Sequence, residues 1–158
     1  MAKRYVITDP CYILPEDMWD KCIEHAEKVM QEDKCDWSDV FSTAVEAALT
    51  TFTNSNAWAS DTGYGDWSNC LHGPYVHYTG GFCADSGMVC VCEYTEAVEE
   101  RIKDMTIDNG CAALFDAEGP LKVNFNKDAP DWTVVEIEDA EGNEWHTDIP
   151  YDEDEEDE

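Results

Sequence analysis

Cys70, His72, His77 and Cys83 place two thiols and two imidazoles within fourteen residues. Those are the atoms that tetrahedral zinc takes. Their spacing, C-x-H-x4-H-x5-C, is that of no finger or ribbon, and Pro74 with Gly80-Gly81 predicts a wandering loop beneath them. No metal site is therefore expected. Cys90 and Cys92 alternate with Val89 and Val91, which reads as a buried strand before it reads as a ligand set. Three aspartate turns form a second constellation: Asp9-Pro10-Cys11-Tyr12, Asp61-Thr62-Gly63-Tyr64-Gly65-Asp66-Trp67 and Ala84-Asp85-Ser86-Gly87-Met88. Each sets a carboxylate at a strand end beside Pro or Gly, where it can cap a turn or meet a ligand. Brought together, Asp9, Asp66 and Asp85 could hold Mg²⁺ or Ca²⁺ through hard oxygens, with Asp61 and Tyr64 beside them. The spacing is not that of an EF-hand, and turn formation is the expected role. The cysteines and the four histidines (His25, His72, His77, His146) carry no local signature of a nucleophile and its base. No glycine loop leads into Lys-Ser or Lys-Thr to cradle a phosphate. The expectation is no catalytic residue and no cofactor.

Charge narrows the choice further. Thirty-seven acids face nine Lys and Arg in 158 residues, a formal net charge of −28. Asp152 to Glu158 are seven consecutive acids, so the remaining body holds 37 − 7 = 30 acids against nine bases, or −21. No Lys or Arg occurs between Cys35 and Glu100, nor from Asp128 onward. Such a chain repels nucleic acid, anionic lipid and free phosphate compounds, and attracts surfaces built to grip polyanions.

The eight cysteines are irregularly spaced with no CxxC pair, and no secretory signal is read at the N-terminus. They are expected to be reduced, mostly buried thiols in a soluble, cytoplasmic protein. No apolar run approaches the ~20 residues of a membrane-spanning helix.

The elements that must position these groups follow from periodicity. Arg4 to Thr8 is a β-branched run closed by Asp9-Pro10. Pro15, Glu16 and Asp17 open a helix whose Trp19, Cys22, Ile23, Ala26 and Met30 form one apolar stripe. Glu16, Asp20, Glu24 and Glu27 run along a different face. Ser38 caps a second helix that buries Val40, Phe41, Ala44, Val45, Ala48 and Leu49. From Thr51 to Gly81 the texture turns to Thr, Asn, Ser, Gly and Trp. Strands are predicted at Tyr75–Tyr78, Met88–Tyr94, Cys111–Phe115, Leu121–Phe125, Trp132–Ile137 and Glu144–Thr147, with a short helix from Thr95 to Lys103. The expected fold is α+β, with two N-terminal helices packed on a curved, mainly antiparallel sheet or half-barrel. One domain spans residues 1–151, followed by a disordered acidic tail, 152–158.

Three patches also carry a likeness. Thr8-Asp9-Pro10-Cys11-Tyr12, Thr62-Gly63-Tyr64-Gly65-Asp66 and Ala84-Asp85-Ser86-Gly87-Met88-Val89 resemble a family of small bacterial and phage proteins. Its members share a strand ending in Asp-Pro-Cys-Tyr, a Gly-Asp turn, and an Asp-x-Gly leading into an apolar strand. The resemblance implies an α+β domain of phage or bacterial source and transfers no activity. Trp67 departs from the glycine with which related turns continue.

The expected function is that of an acidic phage-type inhibitor, akin in character to anti-defence DNA mimics. It would block a basic, nucleic-acid-binding host protein, of the CRISPR type for example, without touching nucleic acid or membrane itself. Duplex DNA carries one charge per ~1.7 Å of axis, so −21 corresponds to about 36 Å of duplex. The acids expected to meet the partner are Glu16, Asp20, Glu24 and Glu27. Glu96, Glu99, Glu100 and Asp104 on the short helix come next, then Glu136, Glu138, Asp139, Glu141 and Glu144 on the last hairpin. The alternative is a nucleotide-binding, sponge-like protein or metal-dependent enzyme built on Asp9, Asp66 and Asp85, whose difficulty is the shortage of bases.

Overall fold

The run Met88-Val-Cys-Val-Cys explains the architecture, because it is apolar on both faces of one strand and both must be covered. A computed structural model describes residues 3–33, 37–62, 67–77, 80–84, 87–102, 111–127 and 132–148, with the side chains of 30–33, 37–39 and 67 left aside. Strand β6 (Met88–Glu93) lies inside a five-stranded sheet, sheet 1, in the order β2-β6-β1-β7-β4. Its other members are β1 (Lys3–Thr8), β2 (Ala57–Asp61), β4 (Val76–His77) and β7 (Ala113–Ala117). A second five-stranded sheet, sheet 2, has the order β5-β3-β10-β9-β8. It comprises β3 (Trp67–His72), β5 (Gly81–Ala84), β8 (Lys122–Asn126), β9 (Val134–Glu138) and β10 (Glu144–Thr147). All pairings are antiparallel. The class is α+β as expected, and the strands divide between two sheets.

Sheet 1 is the middle of three layers. Val6, Met88, Cys90, Cys92 and Leu114 face the helices, while Tyr5, Ile7, Val89, Val91 and Phe115 face sheet 2. The helix layer consists of α1 (Pro10–Ile13), α2 (Glu16–Asp33), α3 (Trp37–Thr53) and α4 (Glu96–Ile102). Cys22 and Ala26 of α2, Phe41, Val45 and Leu49 of α3, and Val98 and Ile102 of α4 are buried in one apolar cluster with this face of sheet 1, and α2 packs along α3. Each large aliphatic among them stabilises the fold by about 1.5–3 kcal/mol relative to exposure. Trp19 meets Phe41 edge to face, centroids 5.1 Å apart. Arg101 donates to the carbonyls of Ile13 (3.0 Å) and Leu14 (3.2 Å), closing the C-terminal end of α1 and tying α4 to it.

Between the sheets the core is aromatic. Tyr5 stacks on Phe115 with centroids 5.7 Å apart, and Phe115 meets Trp145 at 5.1 Å. Trp145 is wholly buried, and its indole N–H donates to the Pro74 carbonyl at 2.5 Å. Gly73 allows this approach, because a Cβ there would stand 2.4 Å from Trp145 Cδ1.

The long helices and the strands after residue 87 form where their patterns predict, except that α3 opens at Trp37, so Ser38 lies inside it and is not its cap. Three changes are instructive. Asp9-Pro10 does not simply turn the chain: it opens the one-turn helix α1, with Asp9 as N-cap accepting from Cys11 N at 2.8 Å. Strands β2, β3 and β5 form where no strand was predicted. Their buried positions include Ser60 and Asn69, so hydrophobic alternation does not mark them. Asn69 Oδ1 accepts from Asp148 N at 2.6 Å and Cys70 N at 2.9 Å, joining β3 to the end of β10. Edge strand β2 is blunted from above, its Ala59 N–H donating to Glu46 of α3 at 3.0 Å. Among the described residues no helix is long and apolar enough to cross a membrane.

Candidate functional site

On α2 the apolar stripe turns inward, so Glu16, Asp20, Glu24 and Glu27, on the other side, are all exposed. Their spacing of four, four and three residues sets them in a row about 16 Å long at 1.5 Å rise per residue. Among the described residues no cation lies within ion-pair distance of these four. Glu96, Glu99 and Glu100 are exposed on α4 in the same layer, where neighbouring Arg101 is engaged with α1. Asp104 lies outside the described residues.

The hairpin acids behave differently. Glu136, Glu138 and Glu144 project from the outer face of sheet 2, the far side of the molecule from the helices, and Glu141 is exposed at the turn. Glu136 accepts from Asn124 Nδ2 (2.8 Å) and Asn126 Nδ2 (3.5 Å) on β8. Glu138 faces Lys122 on one side and Glu144 on the other.

Asp139 corrects the expectation of a partner-facing acid. It is buried and directed into its own turn. It accepts from the backbone N–H of Glu118 (3.0 Å), Glu141 (3.0 Å) and Asn143 (2.8 Å), and from Asn143 Nδ2 (3.1 Å). Burial opposes its ionisation, but the bonds from Glu118, Asn143 and Glu141 outweigh it and hold the carboxyl below its ordinary value. Asp139 is the lock of the β9–β10 turn.

The described ends of the three aspartate segments meet at one end of sheet 1. Strands β1 and β2 both run antiparallel to β6, so Asp9 and Asp61 fall beside the start of β6, where Thr62 N donates to Gly87 O at 2.9 Å. Tyr64, Asp66 and Asp85 lie outside the described residues. Of the two carboxylates in view, Asp9 is fully buried as a cap and Asp61 is held by Lys127 Nζ at 2.9 Å.

The four candidate zinc ligands sit on strands, not on a wandering loop, and they disperse. His72 Nε2 meets Asp148 Oδ1 at 2.5 Å; His77, on sheet 1, lies 3.0 Å from Asp116 Oδ2. Cys83 Sγ is 3.8 Å from Ser68 Oγ. Burial and the nearby Asp148 carboxylate push the Cys70 thiol up, away from the thiolate a metal takes. Among the described residues no three His, Cys, Asp or Glu groups gather in a way that could hold a metal ion. Cys22, Cys90 and Cys92 are buried, whereas Cys11, Cys70, Cys83 and Cys111 are half-buried, and no disulfide joins any of them.

One juxtaposition escaped the sequence. His146 of β10 and His72 of β3 are register partners, with ring centroids 5.3 Å apart on the outer face of sheet 2. No local pattern announces it, because the two strands are separated by more than seventy residues. No protein-family model, curated protein or solved structure matches this chain.

Proposed function

We propose that the chain is an acidic inhibitor of phage type. It occupies the nucleic-acid-binding surface of a basic host protein, such as a CRISPR-type defence factor, by presenting nucleic-acid-like charge. The exposed carboxylate row Glu16–Asp20–Glu24–Glu27 on α2 carries this reading. Over the ~16 Å of that row one strand of duplex DNA presents about five phosphates, against four carboxylates here. Packing of α2 along α3 holds the row in shape, which spares the partner the ordering entropy of a flexible polyanion. Glu96, Glu99 and Glu100 extend the same layer. The outer face of sheet 2 is on the opposite side, and its acids already have partners of their own, Asn124 and Asn126 at Glu136 and Lys122 opposite Glu138, so it fits a basic groove less well.

The alternative is a nucleotide- or metal-dependent function built on Asp9, Asp66 and Asp85, and what favours it is that Asp9 and Asp61 fall at the same end of sheet 1. Against it, Asp9 is consumed as a buried cap.

The deciding experiment is a pull-down from bacterial lysate with the tagged full chain at about 0.15 M salt. The expected catch is a Lys/Arg-rich nucleic-acid-binding protein, identified by mass spectrometry, that added duplex DNA displaces. The chain itself should not retain labelled duplex. Capture of labelled DNA by the isolated chain would overturn the proposal.

A further inference from the structure

We propose that His72 and His146 form a surface bis-imidazole site for a late divalent transition metal, with Zn²⁺ the natural occupant. The two residues are opposed across the β3–β10 pairing, so both side chains leave the same outer face of sheet 2, and both are exposed. Zn–N bonds of about 2.0–2.1 Å and a tetrahedral angle set two ligating imidazoles with centroids about 5 Å apart. The separation here is 5.3 Å.

Each ring also has one nitrogen engaged by a hydrogen bond and the other left to act as a ligand. His146 Nδ1 lies 2.8 Å from the Thr147 carbonyl, which can only accept. In the neutral ring Nδ1 therefore carries the proton and Nε2 keeps its lone pair. His72 Nε2 donates to Asp148 Oδ1 at 2.5 Å, which leaves the Nδ1 lone pair in turn. A ligating histidine whose other nitrogen is tied to a carboxylate or a carbonyl is the usual second-sphere arrangement around a metal. Asp148 is itself anchored, its N–H donating to Asn69 at 2.6 Å and its carbonyl accepting from Trp132 Nε1 at 2.8 Å. The cross-strand neighbour Glu136 is engaged with Asn124 and Asn126. The chain thus supplies two ligands, and the remaining positions fall to water or to a side chain of whatever docks on this face. Imidazole selects Zn²⁺, Cu²⁺ and Ni²⁺ over Mg²⁺ and Ca²⁺, which separates this site from the diffuse hold of an acidic surface on hard ions.

Calorimetric titration of the full chain with zinc chloride and, separately, magnesium chloride tests the site. The expected result is one Zn²⁺ per chain, bound at least tenfold more tightly than Mg²⁺. His72→Ala and His146→Ala should each lower Zn²⁺ affinity at least tenfold, and the double variant should lose no more than either alone. Both residues are exposed, so each variant should fold; a near-ultraviolet dichroism spectrum matching the parent checks it. With Ni²⁺ as a second probe, the imidazole resonances of His72 and His146 should broaden first, with His25 and His77 as internal controls. Equal affinity for Zn²⁺ and Mg²⁺, or Zn²⁺ affinity unchanged in either single variant, would overturn the assignment. So would broadening led by His25 or His77.

Discussion

The outer faces of the helix layer and of sheet 2 both present acids to solvent, and they hold them by different means. On α2 the row Glu16–Asp20–Glu24–Glu27 has like-charged neighbours along its length, each such pair costing a few tenths of a kcal/mol. The helix tolerates this because its other side buries Cys22 and Ala26 and packs Trp19 on Phe41. On sheet 2 the acids meet cross-strand partners: Asn124 and Asn126 at Glu136, Lys122 opposite Glu138. A row of unanswered charge is suited to meeting cations from outside. A cross-linked face is already partly neutralised by its own chain.

Four experiments break or sharpen this contrast. The largest effect is expected beneath the sheet face, not on it. Trp145→Ala removes the wholly buried ring that meets Phe115 and bonds Pro74, and should destabilise by about 3–5 kcal/mol in urea denaturation. A loss under about 1 kcal/mol would mean that sheet 2 does not depend on this pillar.

Next comes reversal of the helix row. Glu16→Lys, Asp20→Lys, Glu24→Lys and Glu27→Lys together should weaken binding to the captured basic partner on the order of a hundredfold, mostly in association rate at low salt. Glu136→Gln with Glu144→Gln should change it less than about threefold. Equal losses from both faces, measured by surface plasmon resonance, would erase the functional distinction drawn between them.

Asp139→Ala should cost about 2–3 kcal/mol, since four donors lose a shared buried acceptor. Its folded pKa is lowered, so its contribution is complete above the unfolded value of about 3.9 and drains away as pH falls through the lower folded value. The gap in stability between parent and variant should therefore be constant from neutral pH down to about 4 and shrink only below it. A gap that instead grew on acidification would mean the carboxyl is not held ionised by the turn.

The smallest effect tests the like-charged contact within sheet 2. Glu144→Lys replaces the Glu144–Glu138 opposition with an attractive pair and should stabilise by about 0.2–1 kcal/mol, the gain fading at high salt. Destabilisation would show that the two carboxylates are not in opposition in solution.

The α+β class, both long helices and the strands after residue 87 were legible in the sequence, because the apolar stripe of α2 and the Val-Cys alternation of β6 are local patterns. The exposed row on α2 was legible for the same reason: a 3.6-residue period that buries one side leaves the other outside. The candidate site was less so. Asp139 reads as one more acid of a hairpin until its turn closes on it, since the Glu118 N–H that it accepts comes from elsewhere in the chain. Strands β2 and β3 were hidden because buried Ser60 and Asn69 interrupt the alternation that would reveal them.

Local chemistry thus determined which segments become helices and strands and where the charge must be excluded from the core. The tertiary structure decided how the ten strands among the described residues divide between two sheets, and so which acids share a side. It alone brought His72 opposite His146, because strand register is set by distant backbone partners and a shift of one residue sends every side chain to the other face.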